Sequence, residues 1–360
     1  MQWDYRSMTM EELRACVAEL GEKPFRAEQL YRWVQARGAE SFDELTDLSA
    51  AFRERLALHG ELRCARVAHR YDSQLDDTKK YLFRLNDGEY IESVLMHYHH
   101  GYSICISTQV GCRMGCTFCA TGQSGFCRSL TPSEMLAQIQ AVQRDQQIRI
   151  SNIVLMGMGE PLDNYDAVLR FLTLVSSEKG LNIGMRHISL STCGLVDRIY
   201  DLMRRDFQLT LSVSLHAPND EIRARTMPIA RKWSMDQLLT ACRAYAEHTG
   251  RRISFEYAMI RGVNDSDDCA HELGRRLSGM LAHVNLIPVN EVTDTGYKRS
   301  SRDRLMRFVH ILEDYHLTAT VRRTLGADIN ASCGQLRRRQ MDESPANRGN
   351  TFGFPGKDWA

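Results

Sequence analysis

The sequence predicts an α/β protein whose main part is a partial (β/α)6 barrel, preceded by a small helical domain and a short β extension. The first observation is that short β-rich runs alternate with segments of helical periodicity beyond residue 100. Parallel strands need crossover connections, so six such units indicate a parallel, barrel-like sheet with its chemistry at the carboxyl ends of the strands. The predicted strands lie near 103–108, 151–156, 187–191, 208–214, 253–258 and 283–288, and the predicted helices near 131–146, 164–177, 197–205, 234–248, 265–278 and 301–315.

The second observation is a change of pattern along the first hundred residues. Candidate capping boxes run from Thr9 to Glu12 and from Ser41 to Glu44, which is typical of short helices. Two β-rich runs then flank the turn Asn86-Asp87-Gly88, which predicts a hairpin or a three-stranded meander. We therefore expect a helical domain at 1–60, a β extension at 61–97, the barrel at 98–325 with an extra strand at 317–321, and a polar tail with a reactive cysteine at 326–360.

Composition bounds the cellular setting and the kind of chemistry. The 360 residues are 43% apolar and 25% charged, with a net charge of +1. No run approaches 18 uncharged apolar residues, and the amino end lacks the layout of a secretory signal, so a cytoplasmic protein without membrane contact is expected. The eleven cysteines are an odd number, which argues against a disulfide framework and favours metal or redox chemistry.

Three cysteines fall within eight residues in the first predicted βα loop. Cys112, Cys116 and Cys119 follow the strand predicted at Ile104 to Ser107, on a loop that carries several glycines. Cubane iron–sulfur clusters take four cysteine ligands, so three local thiolates would leave one iron open. A zinc knuckle with a fourth ligand from elsewhere and three unrelated core cysteines are the alternatives, although zinc spacings are usually pairs of the form C-x2-C.

Polar residues also stand at the ends of later strands, as a ligand site at a barrel mouth requires. Glycines beside Glu160 permit close approach to a ligand, and the carboxylate can accept a hydrogen bond from an ammonium group. The candidate ligand-binding residues are Gly159, Glu160, Ser191, Ser214, Leu215, His216 and Asn290.

The loop resembles the signature of the radical S-adenosylmethionine enzymes, C-x3-C-x2-C with an aromatic residue before the last cysteine, here Phe118. The resemblance implies a [4Fe-4S] cluster, one per chain, whose open iron is chelated by the methionine part of S-adenosylmethionine and donates an electron to form a 5'-deoxyadenosyl radical. It also implies that the segment ending in Gly159 and Glu160 binds the amino group of this cofactor.

Two further cysteines stand apart from the loop. Cys333 is flanked by glycine in a polar segment, an environment where a thiol is accessible enough to react, and Cys105 lies on the first barrel strand. Cys16, Cys64, Cys242 and Cys269 are expected in the core, and Cys127 and Cys193 are interpreted as packing residues.

Over nearly its full length the chain resembles the RlmN/Cfr family of radical RNA methyltransferases. The motifs that carry the resemblance are Gln109-Val110-Gly111-Cys112, Gly157-Met158-Gly159-Glu160-Pro161-Leu162, Ser214-Leu215-His216-Ala217-Pro218-Asn219-Asp220 and Ala331-Ser332-Cys333-Gly334-Gln335-Leu336. The resemblance implies that Cys333 becomes methylated, that Cys105 is its resolving partner and that Glu92 accepts a proton. It implies 23S ribosomal RNA and tRNA as substrates, an electron-donor protein such as flavodoxin, and a monomer.

The chemistry explains why two thiols are needed. Carbon 2 of adenine is electron-poor and cannot act as the nucleophile in a polar methyl transfer, so one thiol must carry the methyl group to the base and a second must release the adduct. In the implied route Cys333 takes a methyl group, the resulting S-methylene radical adds to the base, and attack by Cys105 releases methylated RNA and leaves a disulfide.

Charge supports an RNA substrate. Residues 296–340 hold ten Lys or Arg against four acids, a local charge of +6 that brackets Cys333. The motifs look more like the branch that methylates adenine C2 than the branch that methylates C8 and confers antibiotic resistance. A non-catalytic iron–sulfur RNA-binding protein and a radical enzyme acting on protein or small metabolites are the other hypotheses, and neither explains the paired thiols.

Overall fold

One continuous sheet of ten strands forms the centre of the protein. The computed structural model describes residues 2–289, 296–329 and 331. In chain order its strands are β1 (Trp3–Asp4), β2 (Gly60–Glu61), β3 (Arg66–Asp72), β4 (Lys79–Arg84), β5 (Tyr90–Tyr98), β6 (Gly101–Cys105), β7 (Gln109–Gly111), β8 (Phe126–Ser129), β9 (Ile150–Leu155), β10 (Ile188–Thr192), β11 (Thr210–Ser214), β12 (Ile253–Met259), β13 (Ala282–Pro288) and β14 (Thr318–Val321). Within the described residues, the strands of the central sheet lie side by side in the order β14, β13, β12, β11, β10, β9, β6, β5, β4, β3.

The strands from β6 through β9 to β14 pair in parallel, and helices connect them. The helices are α1 (Met10–Glu19), α2 (Phe25–Tyr31), α3 (Ala50–His59), α4 (Ala120–Gln123), α5 (Pro132–Gln146), α6 (Tyr165–Val175), α7 (Val196–Met203), α8 (Asp220–Thr226), α9 (Met235–Thr249), α10 (Asp267–Leu277) and α11 (Arg302–Asp314). Each predicted barrel strand and helix is present, with bounds shifted by at most three residues. The predicted α/β barrel architecture is therefore confirmed.

Local signals explain where the barrel helices begin. At the start of α5 the hydroxyl of Thr131 accepts from the backbone of Glu134, whose carboxylate accepts in turn from the backbone of Thr131, and proline occupies the first helical position. Ser234 and Gln237 form the same reciprocal pair at the start of α9. These caps satisfy amide groups that have no partner inside the helix, so the helix starts are set locally.

The amino-terminal helices have a hydrophobic core of their own, which includes Tyr5, Leu30 and Phe52. The capping box from Thr9 to Glu12 is present at the start of α1. The predicted capping box of Ser41 and Glu44 is also present, but the segment that follows it forms only a 3-10 turn at Phe42–Glu44. The carboxamide of Gln140 on α5 donates to two backbone carbonyls of this unit, so the helical unit is hydrogen-bonded to the barrel.

The β extension continues the barrel sheet. β3, β4 and β5 form an antiparallel meander, and β5 pairs antiparallel with β6. Alternation along β5 places Ile91 and Leu95 in the main core, whereas Val94 and Met96 face the opposite side. The extension thereby becomes one wall of the barrel interior. Among the described residues, no helix combines the length and apolar character needed to cross a bilayer.

Candidate active site at the carboxyl ends of the strands

A cavity of about 480 Å³ lies inside the barrel and reaches the carboxyl ends of its strands. Most of the predicted site residues meet there, although they are up to 111 positions apart in the chain. Those that line the cavity are Cys105, Cys112, Cys116, Cys119, Gly159, Glu160, Ser191, Ser214 and His216. Asn290 and Cys333 lie outside the described residues.

The three-cysteine loop is held by a small hairpin that the sequence did not reveal. The first strand ends at Cys105, and β7 and β8 then pair antiparallel on either side of the loop. Gly111 has φ +79°, and a Cβ there would lie 2.0 Å from the carbonyl oxygen of Gly125. Only glycine fits this close approach, and the amide of Cys112 donates to the same carbonyl at 2.9 Å. The loop is therefore closed by backbone contacts on both sides of the cysteines.

The thiols of the loop are close enough to influence one another. Burial raises the pKa of Cys112 to about 12, and Cys119 acts in the same direction. Burial likewise raises the pKa of Cys116 well above its usual value, with Cys119 and Cys112 adding to the effect. Thiolates in such a setting need compensating positive charge, which bound iron supplies, because a coordinating thiol is deprotonated outright.

The three loop cysteines are the candidate ligands of an iron–sulfur cluster. Within the described residues, no three His, Cys, Asp or Glu side chains are grouped for a single metal ion. In a cubane each cysteine ligates a different iron, so the three sulfurs stand farther apart than they do around one ion. Cys112, Cys116 and Cys119 line one cavity and could supply three of the four cysteine ligands that a cubane normally takes.

Glu160 is held at the end of β9 by backbone donors. Its carboxylate accepts from the amide of Cys193 at 2.7 Å and from the amide of Leu162 at 3.1 Å. Burial raises the pKa of Glu160 and these donors oppose the shift. Gly159 has φ +107°, and a Cβ there would lie 2.6 Å from the side chain of Gln109. The carboxylate is thus fixed in direction and still has lone pairs for a cationic group.

His216 is a neutral hydrogen-bond donor. Its Nδ1 lies 2.8 Å from the backbone nitrogen of Ala258 and must accept that proton, so Nε2 carries the ring hydrogen. Burial, with a smaller effect from Arg223, lowers the pKa of His216 to about 3. The preceding Leu215 has its side chain in the main core and is not among the described residues that line the cavity.

Glu92 is a residue of β5, the strand that forms one wall of the cavity. Its carboxylate pairs with Nζ of Lys80 at 2.9 Å, and both side chains are almost fully buried. Glu92 is not among the described cavity-lining residues, but it shares a face of β5 with Val94 and Met96, which are.

The end of the described chain packs against the cavity. Leu325 and Ala331 contact the group formed by Val94, Met96 and Cys105. The amide of Gly326 donates to Asp76 at 2.9 Å, and Asp328 accepts from Ser73 at 2.7 Å. The chain is therefore anchored to the β3–β4 turn up to Asp328, five residues before Cys333.

Comparison with known proteins identifies the family. The Radical SAM superfamily matches residues 106–272, and the ribosomal RNA large subunit methyltransferase N-terminal domain matches residues 4–62. A protein of Lachnoclostridium phytofermentans named probable dual-specificity RNA methyltransferase RlmN is 50% identical over 341 residues, covering 95% of this chain and 96% of that protein. A protein of Alkaliphilus oremlandii with the same name is 51% identical over 338 residues, covering 94% and 98%. The chain belongs to the RlmN family of radical SAM RNA methyltransferases.

A solved structure agrees with this membership of the RlmN family. The crystal structure of a radical SAM methyltransferase from Sphaerobacter thermophilus has a TM-score of 0.89 to this chain at 43% identity, and the match covers 92% of this chain and 98% of the other. The resemblance inferred from the motifs is thus confirmed at the level of family and fold.

Two residues of this RlmN-family site were missed by sequence reasoning. Glu256 on β12 lines the cavity, and its carboxylate accepts from Ser254 at 3.0 Å and from Asn285 at 2.8 Å. Burial raises the pKa of Glu256. A carboxylate between Phe255 and Tyr257 in a buried strand was the available signal. Arg223 on α8 is the other, and nothing in its exposed-looking sequence context predicted its full burial.

One cysteine prediction is wrong. Cys127 is exposed on β8, where its thiol donates to the carboxylate of Glu89 at 3.5 Å, because β8 belongs to a two-stranded hairpin that cannot bury both faces. Cys193 and the four expected core cysteines are buried.

Proposed function

We propose that this chain methylates carbon 2 of one adenosine in 23S ribosomal RNA and of an anticodon-adjacent adenosine in tRNA. Its RlmN relatives are named dual-specificity RNA methyltransferases. The observation that carries the proposal is that Cys105 and the three cysteines of the loop line one cavity, against which the chain leading to Cys333 is packed.

The loop cysteines are proposed to hold a [4Fe-4S] cluster that binds S-adenosylmethionine at its open iron. When bound, this pair supplies the methyl group and the one-electron chemistry that makes an S-methyl group reactive. Glu160 would accept from the amino group of the cofactor, and Gly159 lets the ligand approach the backbone. Ser191, Ser214 and the Nε2 hydrogen of His216 supply polar contacts at the neighbouring strand ends, and Asn290 is assigned to the same set.

Cys333 is proposed to carry the methyl group to the base. Its S-methyl group would give up one hydrogen atom to the radical derived from S-adenosylmethionine, and the S-methylene group would then bond to carbon 2. Glu92 would take the ring proton and one electron would return to the cluster, which leaves the RNA joined to Cys333 through carbon and sulfur. Cys105 as thiolate then attacks the sulfur of Cys333. The new S–S bond forms as the S–C bond breaks, and the released carbon takes up a proton to become the methyl group.

Each turnover therefore ends with a disulfide between Cys105 and Cys333. A two-electron reductant must restore both thiols before the next cycle. Cluster chemistry needs a separate one-electron donor, for which we assign a protein such as flavodoxin.

The test is anaerobic reconstitution with iron and sulfide, then reaction with S-adenosylmethionine, reductant and unmodified ribosomal RNA or tRNA. Mass spectrometry of the digested nucleosides should find 2-methyladenosine with wild type and none with Cys333→Ala. Cys127→Ala, which removes an exposed thiol outside the cavity lining, is the matched control and should retain activity.

The same experiment separates the alternatives. Appearance of 8-methyladenosine would move the chain to the C8 branch. RNA binding with an intact cluster and no cleavage of S-adenosylmethionine would favour a non-catalytic RNA-binding protein, and cleavage with no RNA product would point to another substrate class.

A further inference from the structure

The hairpin between β5 and β6 carries an aromatic surface that no step of the proposed reaction uses. Its turn is His99-His100, and Gly101 follows with φ +112°. The rings of Tyr98 and His100 stack with centroids 5.2 Å apart and planes 5° from parallel. His99 meets His100 edge to face at 5.0 Å. The result is a preformed group of three rings at the tip of a short hairpin.

This aromatic tip is open to solvent and joined to the cavity. His99 and His100 are exposed, whereas Tyr98 is partly buried and lines the cavity together with Met96. The hydroxyl of Tyr98 donates only locally, to the sulfur of Met96 at 3.5 Å. Tyr98 packs against the small cluster of Val94, Met96 and Cys105, whereas the exposed rings of His99 and His100 extend beyond that cluster.

The strand pair connects the aromatic tip to the reacting thiol. Val94, Met96 and Tyr98 share one face of β5, and Val94 is the cross-strand partner of Cys105. Tyr98 lies four positions beyond Val94 along the strand, a distance of about 13 Å. The aromatic tip is therefore too far from Cys105 to hold the reacting adenine. It lies on the cavity-facing side of β5, where it could hold a nucleotide next to that adenine.

Positive charge lines the same cavity as Tyr98. Arg322 and Arg323 follow β14, which is the other end of the parallel part of the sheet, and both are exposed and line the cavity. The backbone of Arg322 donates to Leu286 at 2.8 Å, which anchors the segment. Aromatic rings and arginines at one cavity match the base faces and the phosphates of single-stranded RNA.

We propose that Tyr98 and His100 form a stacking platform for an unpaired nucleobase next to the target adenine, while Arg322 and Arg323 neutralise the adjoining phosphates. The proposal rests on the proposed function in that it takes RNA as the substrate. An unstacked target base leaves its neighbours without a stacking partner, and rings already held in place by the hairpin take up that role with little loss of freedom. Stacking is tolerant of base identity, so the same platform serves both ribosomal RNA and tRNA.

The test compares RNA affinity and kinetics for paired variants of the reconstituted full-length protein. The double variant Y98L/H100A removes both rings and should weaken binding of an unmodified 23S ribosomal RNA transcript by about tenfold to a hundredfold. KM for RNA should rise accordingly. Y98F/H100F keeps two rings and loses only the local hydroxyl contact, so its affinity should stay near wild type.

The chain offers a matched control on the same sheet. His69 and Tyr71 form another histidine–tyrosine pair, with centroids 6.3 Å apart, on β3 and outside the described lining of the cavity. H69A/Y71L should leave RNA affinity unchanged. R322A/R323A should reduce the slope of log affinity against log salt by about two, whereas Y98L/H100A should leave that slope unchanged.

Three results would overturn the proposal: equal RNA affinity for Y98L/H100A and wild type, equal losses in Y98L/H100A and H69A/Y71L, or failure of Y98F/H100F to restore binding. Because affinity is measured without methyl transfer, these outcomes are distinct from failure of the proposed reaction. If the wild-type protein methylates RNA and Y98L/H100A has the same KM for RNA, the proposed function stands and the stacking platform is excluded. Absence of RNA binding by the wild-type protein would exclude both the proposed function and the stacking platform.

Discussion

The guanidinium of Arg223 donates to the carbonyl oxygen of Cys193 at 2.6 Å, although the two residues belong to different β/α units. Arg223 is fully buried and also donates to the carbonyls of Leu215 at 3.3 Å and Ser214 at 3.4 Å. It thereby joins the ends of β10 and β11. Gly194 makes this contact geometrically accessible, since a Cβ there would lie 3.2 Å from the guanidinium.

The helix that carries Arg223 also supports the cysteine loop. The amide of Thr117 donates to the carbonyl of Thr226 at 2.9 Å, and Met227 packs against Cys112 and Cys193. One guanidinium Nη atom of Arg223 has no hydrogen-bond partner within the part of the chain that is described. Arg223 is therefore both a brace for the strand ends and a buried positive charge beside thiols that need one.

Replacing Arg223 should lower both the stability of the fold and the amount of iron that the protein retains. Arg223→Met removes the guanidinium hydrogen bonds to three backbone carbonyls, which is expected to lower the free energy of unfolding by about 3 kcal/mol and to reduce iron retained after reconstitution. Urea unfolding and iron-to-protein ratios measure the two effects. Arg225→Met is the control, because Arg225 is exposed and pairs with Glu221 on the same helix, so its effect should stay within about 0.5 kcal/mol. Full iron and stability in Arg223→Met would contradict the bracing role.

Removing Cys105 should stop the reaction at a covalent stage. Without the thiol that attacks Cys333, the RNA stays bonded to the protein, so Cys105→Ala should accumulate a protein–RNA adduct that survives denaturation and thiol reductants. Denaturing gels with labelled RNA detect it, and Cys127→Ala should give none. Wild-type turnover by Cys105→Ala would exclude its resolving role.

The buried pair of Lys80 and Glu92 allows stability and catalysis to be separated. Glu92→Gln leaves the Lys80 ammonium without its carboxylate and should destabilise the fold by about 3–5 kcal/mol. The double variant K80M/E92Q removes both charges and should recover much of that loss, as measured by urea unfolding. If Glu92 accepts the ring proton, the double variant is well folded and still inactive, and full methylation by it would rule that assignment out.

The lowered pKa of His216 predicts a dependence of stability on pH. Between the ordinary pKa of 6.5 and the folded value of about 3, the unfolded chain binds a proton at this residue and the folded chain does not. Stability from His216 is therefore fully present above pH 6.5 and is lost as the pH falls, by about 1.4 kcal/mol per pH unit.

His216→Asn tests this contribution. Asparagine tolerates the observed φ of +56° and offers an oxygen to the Ala258 amide, but it does not titrate. The difference in unfolding free energy between pH 7 and pH 5 should be smaller in this variant by about 2 kcal/mol. An unchanged pH slope would mean that other groups carry it.

Sequence patterns predicted the β/α alternation because hydrophobic periodicity and capping residues are local signals. The reciprocal cap of Thr131 and Glu134 marks the start of α5 in four consecutive residues. The loop of Cys112, Cys116 and Cys119 is equally local, and family resemblance assigned the strand-end residues. The hairpin of β7 and β8 was not predicted, because strands of three and four residues carry too little periodicity to be recognised.

By itself, then, the sequence determined the order of the elements, the family and the residues placed at strand ends, since each depends on neighbours within a few positions. Only the tertiary structure decided that Arg223 is fully buried, that burial keeps His216 neutral and that Lys80 pairs with Glu92. It also decided that Tyr98, whose ring stacks on His100, lines the cavity of Cys105. These depend on which strand ends meet in space and how far water is excluded, and packing of distant segments sets both.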